Sequence, residues 1–480
     1  MIIEQRPLYN TLPVGQDIVF TVSDETIIVN KFQPKFTAEV HVSSRVSNLG
    51  LTDSIVANLK VTPNNKGVGI FSLSNILESY VSPDYNGTNF DNIIYIQSTY
   101  KTIPFTESTP HPIHLIDKYS NNNNTAIYFS IFFNVEYYDD ATLDILKFGK
   151  SVRAENYLSY NGILQYDDVL NLSGNNYGYD LNTYQYIMND AQSKFMTNAP
   201  VKQYARLKDY GTLSFFNFLN IPTNSFKVGT LGVAIDKVNF LEIRLYNSSG
   251  TQLGGSINVY ATVANGAFNN NNVFSNTRIM FFGMFPANLK GWSSDWETHE
   301  PNISYYTVQA FDDDDQAISL VYTISIISDD CKGFKPIRLT WLNPHGTWDY
   351  YTFTKKSIKT LNTNRTSYTQ QGGTWNGSTF RINGYKGGKK NFRVNTKELI
   401  TINTKFLLES DAVWFEELIN SPEVYKVNDY SSDVGGITNK YIEPVTLNTS
   451  SYVRKTKAND KLIQYTFELE KTKNKRTQAI

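Results

Sequence analysis

From Ile18 to about Val135 the chain alternates between apolar and polar residues. Phe36, Ala38, Val40 and Val42 interleave with Thr37, Glu39, His41 and Ser43; Ile55, Ala57, Leu59 and Val61 interleave with Asn58, Lys60 and Thr62. Alternation sends one side of each segment into a core and the other into water, which marks half-buried strands. Pro63-Asn64-Asn65-Lys66-Gly67 breaks the chain in a turn, and Leu73, Ile76, Leu77 and Tyr80 then keep helical spacing up to Pro83. Phe129, Ile131, Phe133 and Val135 close a first β-sandwich, expected over residues 1–135.

Regularity weakens over 136–206. Tyr157, Tyr160, Tyr166, Tyr177, Tyr179, Tyr184 and Tyr186 lie there among Asn, Asp and Gly without a clean period. A long irregular connection needs a surface to order it, and tyrosine supplies apolar area with a polar tip. These seven tyrosines are therefore the candidate subunit interface, in preference to a sugar-stacking platform.

Alternation returns over 207–330, the expected second sandwich, immunoglobulin-like in shape. Leu241, Ile243 and Leu245 lead into an Asn247-Ser248-Ser249-Gly250 turn. Ile318, Leu320, Tyr322, Ile324 and Ile326 form the sharpest strand, paired with Tyr306, Val308 and Ala310 across Asp312-Asp313-Asp314-Asp315. That turn lacks the spaced ligands and terminal Glu of a calcium loop, so it reads as a solvated hairpin tip.

Residues 331–480 read as a C-terminal α+β domain. Ile337, Leu339 and Trp341 alternate with Arg338 and Thr340, so one strand face is expected apolar and the other wet. Asn343-Pro344-His345-Gly346 fits a type I turn. The return strand puts Trp348, Tyr350 and Thr352 on one side and Asp349, Tyr351 and Phe353 on the other, an aromatic hairpin in which Trp341, Gly346, Trp348 and Tyr350 are the structural residues. The Gly- and Lys-rich span from Gln371 to Lys390 is expected to be a mobile basic loop. Ser410 or Asp411 is the expected cap of a helix through Trp414, Phe415, Leu418 and Ile419 that Pro422 ends. Ile463, Tyr465, Phe467 and Leu469 mark the last strand, before a basic tail of Lys471, Lys473, Lys475 and Arg476.

Composition supports a mainly β chain of several sandwich domains: aromatics make up 14%, with 32 Tyr and 29 Phe. At 480 residues it is too long for one core. The 44 Lys and Arg nearly balance 45 Asp and Glu, so no global field draws the protein to nucleic acid or an anionic membrane. Met1 to Pro7 carries no pattern of a secretory signal, and runs such as Ile131-Phe132-Phe133 are too short to cross a bilayer.

Catalytic signatures are missing from the sequence. It holds no Gly-x-Ser-x-Gly elbow, no His-Glu-x-x-His and no phosphate loop, since Gly384 to Gly388 lacks the Gly-Lys-Ser/Thr ending. Cys331, the single cysteine, reads as a packed thiol, and His111 and His114 between prolines read as loop residues without a third metal ligand. Asp139, Asp140, Asp167, Asp168, Glu416 and Glu417 supply carboxylates, but a glycosidase pair is defined by a spatial separation. The expectation is a protein without enzymatic activity, cofactor or metal.

Four stretches carry a resemblance. They are Trp341-Leu342-Asn343 with the turn at Gly346 and Trp348-Asp349-Tyr350-Tyr351-x-Phe353; Val61-Thr62-Pro63-Asn64-Asn65 through Gly69-Ile70-Phe71; Phe195-Met196-Thr197-Asn198-Ala199-Pro200; and Trp414-Phe415-Glu416-Glu417-Leu418 with Ser421-Pro422-Glu423-Val424-Tyr425. Together they resemble virion structural proteins of tailed phages that infect Bacteroides-type bacteria, the crAss-like phages among them. The resemblance implies a tail hub, ring or adaptor subunit that forms a closed homo-oligomer and meets other tail or portal-vertex proteins. Such a protein is made in the host cytoplasm and resides in the virion tail. Lys386, Lys389, Lys390 and the basic tail would then meet acidic surfaces of neighbours, or simply keep the domain soluble. The competing class is a glycan-binding tail fibre or spike, which often carries repeats or coiled coils that this sequence lacks.

Overall fold

The computed structural model describes residues 1–7, 11–43, 54–83, 119–121, 125–163, 186, 188, 190–217, 238–260, 278–327, 334–375, 377–428, 442–449, 463–473 and 475–476. Among these, one compact unit takes in Met1–Ile327 with Leu342–Asp349, and a second takes in Ser328–Trp341, Tyr350–Asp429 and Asn439–Ile480. The chain is mainly β, in several separate sheets.

In the first unit, a three-stranded sheet of Ile2–Gln5, Val19–Ser23 and Val68–Ser72 lies on a six-stranded one. The larger sheet runs Thr11–Pro13, Val152–Tyr160, Ala126–Tyr138, Phe32–Ser43, Ser54–Val61, and Leu146–Phe148 adds to Ala126–Tyr138. Phe20, Phe71 and Phe133 meet between the layers, with ring centroids 5.4 to 5.9 Å apart. The helical spacing after Leu73 becomes a helix over Ser74–Leu77 and a 3-10 turn over Glu78–Tyr80.

Val152–Tyr160 corrects an expectation, because it lies within the stretch read as irregular. Its register slips between Ala154 and Tyr157, and a slip moves every later side chain to the other face. That is why no period is visible in the sequence.

A second pair of sheets follows. Five strands run Lys202–Ala205, Tyr322–Ile326, Tyr305–Phe311, Phe240–Tyr246, Gln252–Tyr260, the first two parallel. Three more run Thr212–Asn217, Arg278–Gly283, Tyr119–Asn121. Phe195 joins the layers, stacking edge-on against Phe215 and Tyr322. Of the strand expected from Ile318 to Ile326, Tyr322–Ile326 forms, and it pairs with the expected neighbour, Tyr306 opposite Ile324 and Val308 opposite Tyr322.

Four turns share one construction. Asn64, Asn247, Asp312 and Asn343 each occupy the first position, and each side-chain oxygen accepts the backbone N–H groups two and four residues on, at 2.7 to 3.1 Å. The fourth position is left-handed in every case: Gly67 at φ 75°, Gly250 at 81°, Asp315 at 57° and Gly346 at 74°. This is a type I turn closed by a left-handed residue, a common way to join antiparallel strands. Asp312 thus serves the backbone, while Asp313, Asp314 and Asp315 face solvent.

Asn343 does more than close its own turn. Its amide donates to the Met196 carbonyl and to Asp349 Oδ1, both at 3.0 Å. Thr347 Oγ1 also donates to Met196 at 2.7 Å, and Thr197 Oγ1 donates to Asp349 at 2.6 Å. Asn343, Thr347, Asp349 and Thr197 are all buried. Two of the stretches that carry the resemblance are therefore bonded to each other.

The second unit is a sheet with one helix. Strands run in the order Trp348–Phe353, Ile337–Leu342, Val424–Val427, Ile442–Leu447, Thr466–Lys471, Gly388–Asn403, Ile358–Gln370, and Lys475–Arg476 also pairs with Gly388–Asn403. Helix Glu409–Asn420 lays Trp414 and Phe415 on Trp341, Tyr351 and Phe353. Its cap position is Leu408, without a side-chain bond, so neither Ser410 nor Asp411 caps it; both lie inside the helix. Arg338 and Thr340, expected on a wet face, are buried. Arg338 donates to Thr352 Oγ1 at 2.9 Å and lies over the Tyr350 ring, which makes burial tolerable for a cation.

Three outcomes follow. Trp341 is fully buried against Trp414, so Trp341→Ala is expected to cost about 3 to 5 kcal/mol in urea denaturation, with a melt like wild type counting against it. A Cβ on Gly346 would sit 1.6 Å from the Asn161 carbonyl oxygen. Gly346→Ala should lose more than about 1 kcal/mol, the usual limit for glycine replacement at a tolerant site. His345, tilted against Tyr186 with ring centroids 4.0 Å apart, is buried, and desolvation with the nearby Lys194 charge lowers its pKa from 6.5 to about 3. The unfolded chain therefore binds a proton that the folded chain refuses between those values. Stability from this residue is full above pH 6.5 and falls as pH drops toward 3. Comparing urea midpoints at about pH 7 and about pH 4.5 should show a steeper acid loss for wild type than for His345→Gln.

Candidate assembly arm

Tyr, Ile and Thr favour extended backbone, and Ile358–Gln370, IKTLNTNRTSYTQ, is dense in them. It pairs along all 13 residues with Gly388–Asn403, from Ile358 opposite Thr401 to Gln370 opposite Gly388. At the usual rise per residue the ribbon is about 40 Å long. Its far end is a second small hairpin, Gly373–Trp375 with Phe380–Ile382. A Cβ on Gly373 would meet the Arg381 carbonyl oxygen at 2.3 Å, so the close pairing there requires glycine. The span expected as a mobile loop is thus ordered β-structure.

This ribbon is wet on both faces. Every residue from Ile358 to Ser367 is exposed, although side chains alternate between faces. The return strand begins to bury alternate residues only at Glu398, Ile400 and Ile402. Large apolar side chains stand in water on the arm: Ile382 is 82% exposed, Tyr385 74%, Trp375 66% and Leu361 59%.

Charge on the arm is one-sided. Between Tyr350 and Lys397 the sequence has ten Lys and Arg and no Asp or Glu. At the base, Lys397 pairs with Glu470 at 2.8 Å and Lys471 with Glu398 at 3.4 Å. The Lys397 ammonium and the Asn448 amide hold the Glu470 carboxyl below its usual range. Farther out, Arg365, Arg381, Lys389 and Arg393 form no salt bridge among the described residues. Lys471 is committed to Glu398 and Glu443, and Lys475 and Arg476 pair with the arm's backbone. The basic tail read from the sequence is therefore partly tied down.

The expected tyrosine interface is corrected where it can be seen. Tyr157 and Tyr160 are buried within the chain, Tyr157 against Phe20 and Phe129, Tyr160 against Phe216. Burial pushes the Tyr157 phenol up to about 12. Tyr186 is buried too, bonded to Asn198 and tilted against the His345 ring. Tyr166, Tyr177, Tyr179 and Tyr184 lie outside the described residues, as do His111, His114 and Cys331. Trp348 and Tyr350 are buried in the hairpin with Trp341.

Other surfaces offer less chemistry. A cleft of about 690 Å³ is lined by Asn247, Ser248, Asn302, Ser304, Leu253 and Ile326 among others, none of them ionisable. Among the described residues no group of three or more His, Cys, Asp or Glu is placed to hold a metal ion, and no helix is long and apolar enough to cross a membrane.

No protein-family model matches the chain, and no curated protein matches it. Among solved structures it is similar to a crystal structure of Salmonella alpha-2-macroglobulin reacted with methylamine, at 8% identity and a TM-score of 0.18. That match covers 97% of this chain and 22% of the other, and at such a score it carries no argument.

Proposed function

We propose that the chain is a structural component of a bacteriophage virion, a tail hub, ring or adaptor subunit that assembles as a closed homo-oligomer. The arm carries this reading. A ribbon with both faces wet and several large apolar side chains in water is far from its lowest free energy alone, since covering each such side chain contributes about 1.5 to 3 kcal/mol. Heterologous contacts in which one subunit reaches for the next generate rings when the rotation closes. The resemblance of Trp341 to Phe353 and Phe195 to Pro200 to phage virion proteins supplies the setting. The proposed role needs no catalytic group.

A second reading, a glycan-binding fibre or spike, is favoured by the exposed rings of Trp375 and Tyr385, which suit stacking on sugars. Imaging of intact particles separates the two. The expected result is several copies in a ring around the tail axis. An elongated trimer with affinity for host polysaccharide would replace the first reading with the second.

A further inference from the structure

Resting on that assembly reading, we propose that the arm docks on the acidic surface of a second copy of this chain. Charge is the first reason. The ten cations between Tyr350 and Lys397 leave 34 Lys and Arg against 45 Asp and Glu in the rest of the chain. A body with an excess of eleven carboxylates is the complement of a carboxylate-free arm, so the chain is complementary to itself when one copy reaches the next.

Exposed carboxylates are available to receive it. Asp295 and Glu297 on helix Ser294–His299, and Asp313, Asp314 and Asp315 on their turn, face solvent and form no salt bridge among the described residues. On the arm, Arg365, Arg381, Lys389 and Arg393 likewise form no salt bridge among the described residues. Its outer strand adds a further means of attachment: Ile358–Gln370 ends the sheet, is 13 residues long and contains no proline. An edge of that length offers a row of backbone donors and acceptors to a partner.

Nucleic acid would also attract this charge, and geometry decides against it. Cations stand on both faces, because Arg365 and Lys359 share one while Lys397 and Arg393, opposite Asn362 and Thr366, share the other. A ribbon in a duplex groove presents one face to the bases. Trp375 and Tyr385 carry rings, but Leu361 and Ile382 are exposed aliphatics with none to stack on a base, and contact with protein covers them better than nucleic acid does.

Sedimentation velocity on the full chain in buffers of roughly 50 and 500 mM salt tests the proposal. Wild type should self-associate at the lower salt and dissociate at the higher. Lys389→Glu with Lys390→Glu and Arg393→Glu, all outside the core, should weaken association at least tenfold while melting as wild type does. Because reversal on the arm could disturb the ribbon, a second variant alters only the receiving side: Asp295→Asn, Glu297→Gln, Asp313→Asn and Asp314→Asn should weaken it likewise. If either folded variant associates as wild type does, the arm is not held by these charges and the proposal fails, while a ring in the particle would leave the assembly reading intact. Absence of the chain from purified particles would sink that reading instead. A wild type that stays monomeric at both salts but binds a DNA oligonucleotide with steep salt dependence would overturn the proposal in favour of a polyanion.

Discussion

Asn343 uses its whole hydrogen-bonding capacity inside the protein. Both amide hydrogens are donated, to Met196 and Asp349, and its oxygen accepts from the His345 and Thr347 N–H groups. A buried amide with a single unmet bond is costly, and a full set turns the same group into a fixed point. The turn around it is held on its other flank by Ile163, whose N–H donates to the Pro344 carbonyl at 2.6 Å, and by the close approach of Gly346 to Asn161. The turn from Asn343 to Gly346, with Thr347, is thus bonded to Met196 on one flank and to Ile163 on the other.

The same turn was legible in sequence, and so were the three built like it. An Asn or Asp followed at the fourth position by Gly is a local code: one side chain satisfies two N–H groups, and one backbone conformation excludes most other residues. Asp315 shows its limit, since a non-glycine residue there takes the left-handed conformation as well. The sharp alternation around Val308 and Tyr322 was legible for a similar reason, being a single buried face with an uninterrupted register.

What was hidden depended on context beyond the segment. Arg338 and Thr340 follow the rule of alternate polarity yet lie buried, because the far face of their strand is covered too. Tyr157 and Tyr160 resemble surface residues by type; the bulge after Ala154 conceals their period. Glycine and lysine disguised the arm as a loop. Its signal was present in another form, the long run without a carboxylate, which is a property of the stretch and not of any one residue. In a chain whose overall charge is close to zero, such segregation is the feature on which the proposed assembly rests.

The bonds from Asn343 and Thr347 to Met196 join positions 147 and 151 residues apart. During synthesis at about 5 to 20 residues per second, roughly 8 to 30 seconds separate the two ends leaving the ribosome. Through that interval the Met196 carbonyl has neither of these partners, so its satisfaction waits for a segment made later. The first unit is finished only by residues that belong to a later part of the message. A ribosome pause between these two points, or a truncation ahead of Asn343, would leave that polar group awaiting its partners, the state in which a chain is most exposed to chaperones and to its own neighbours.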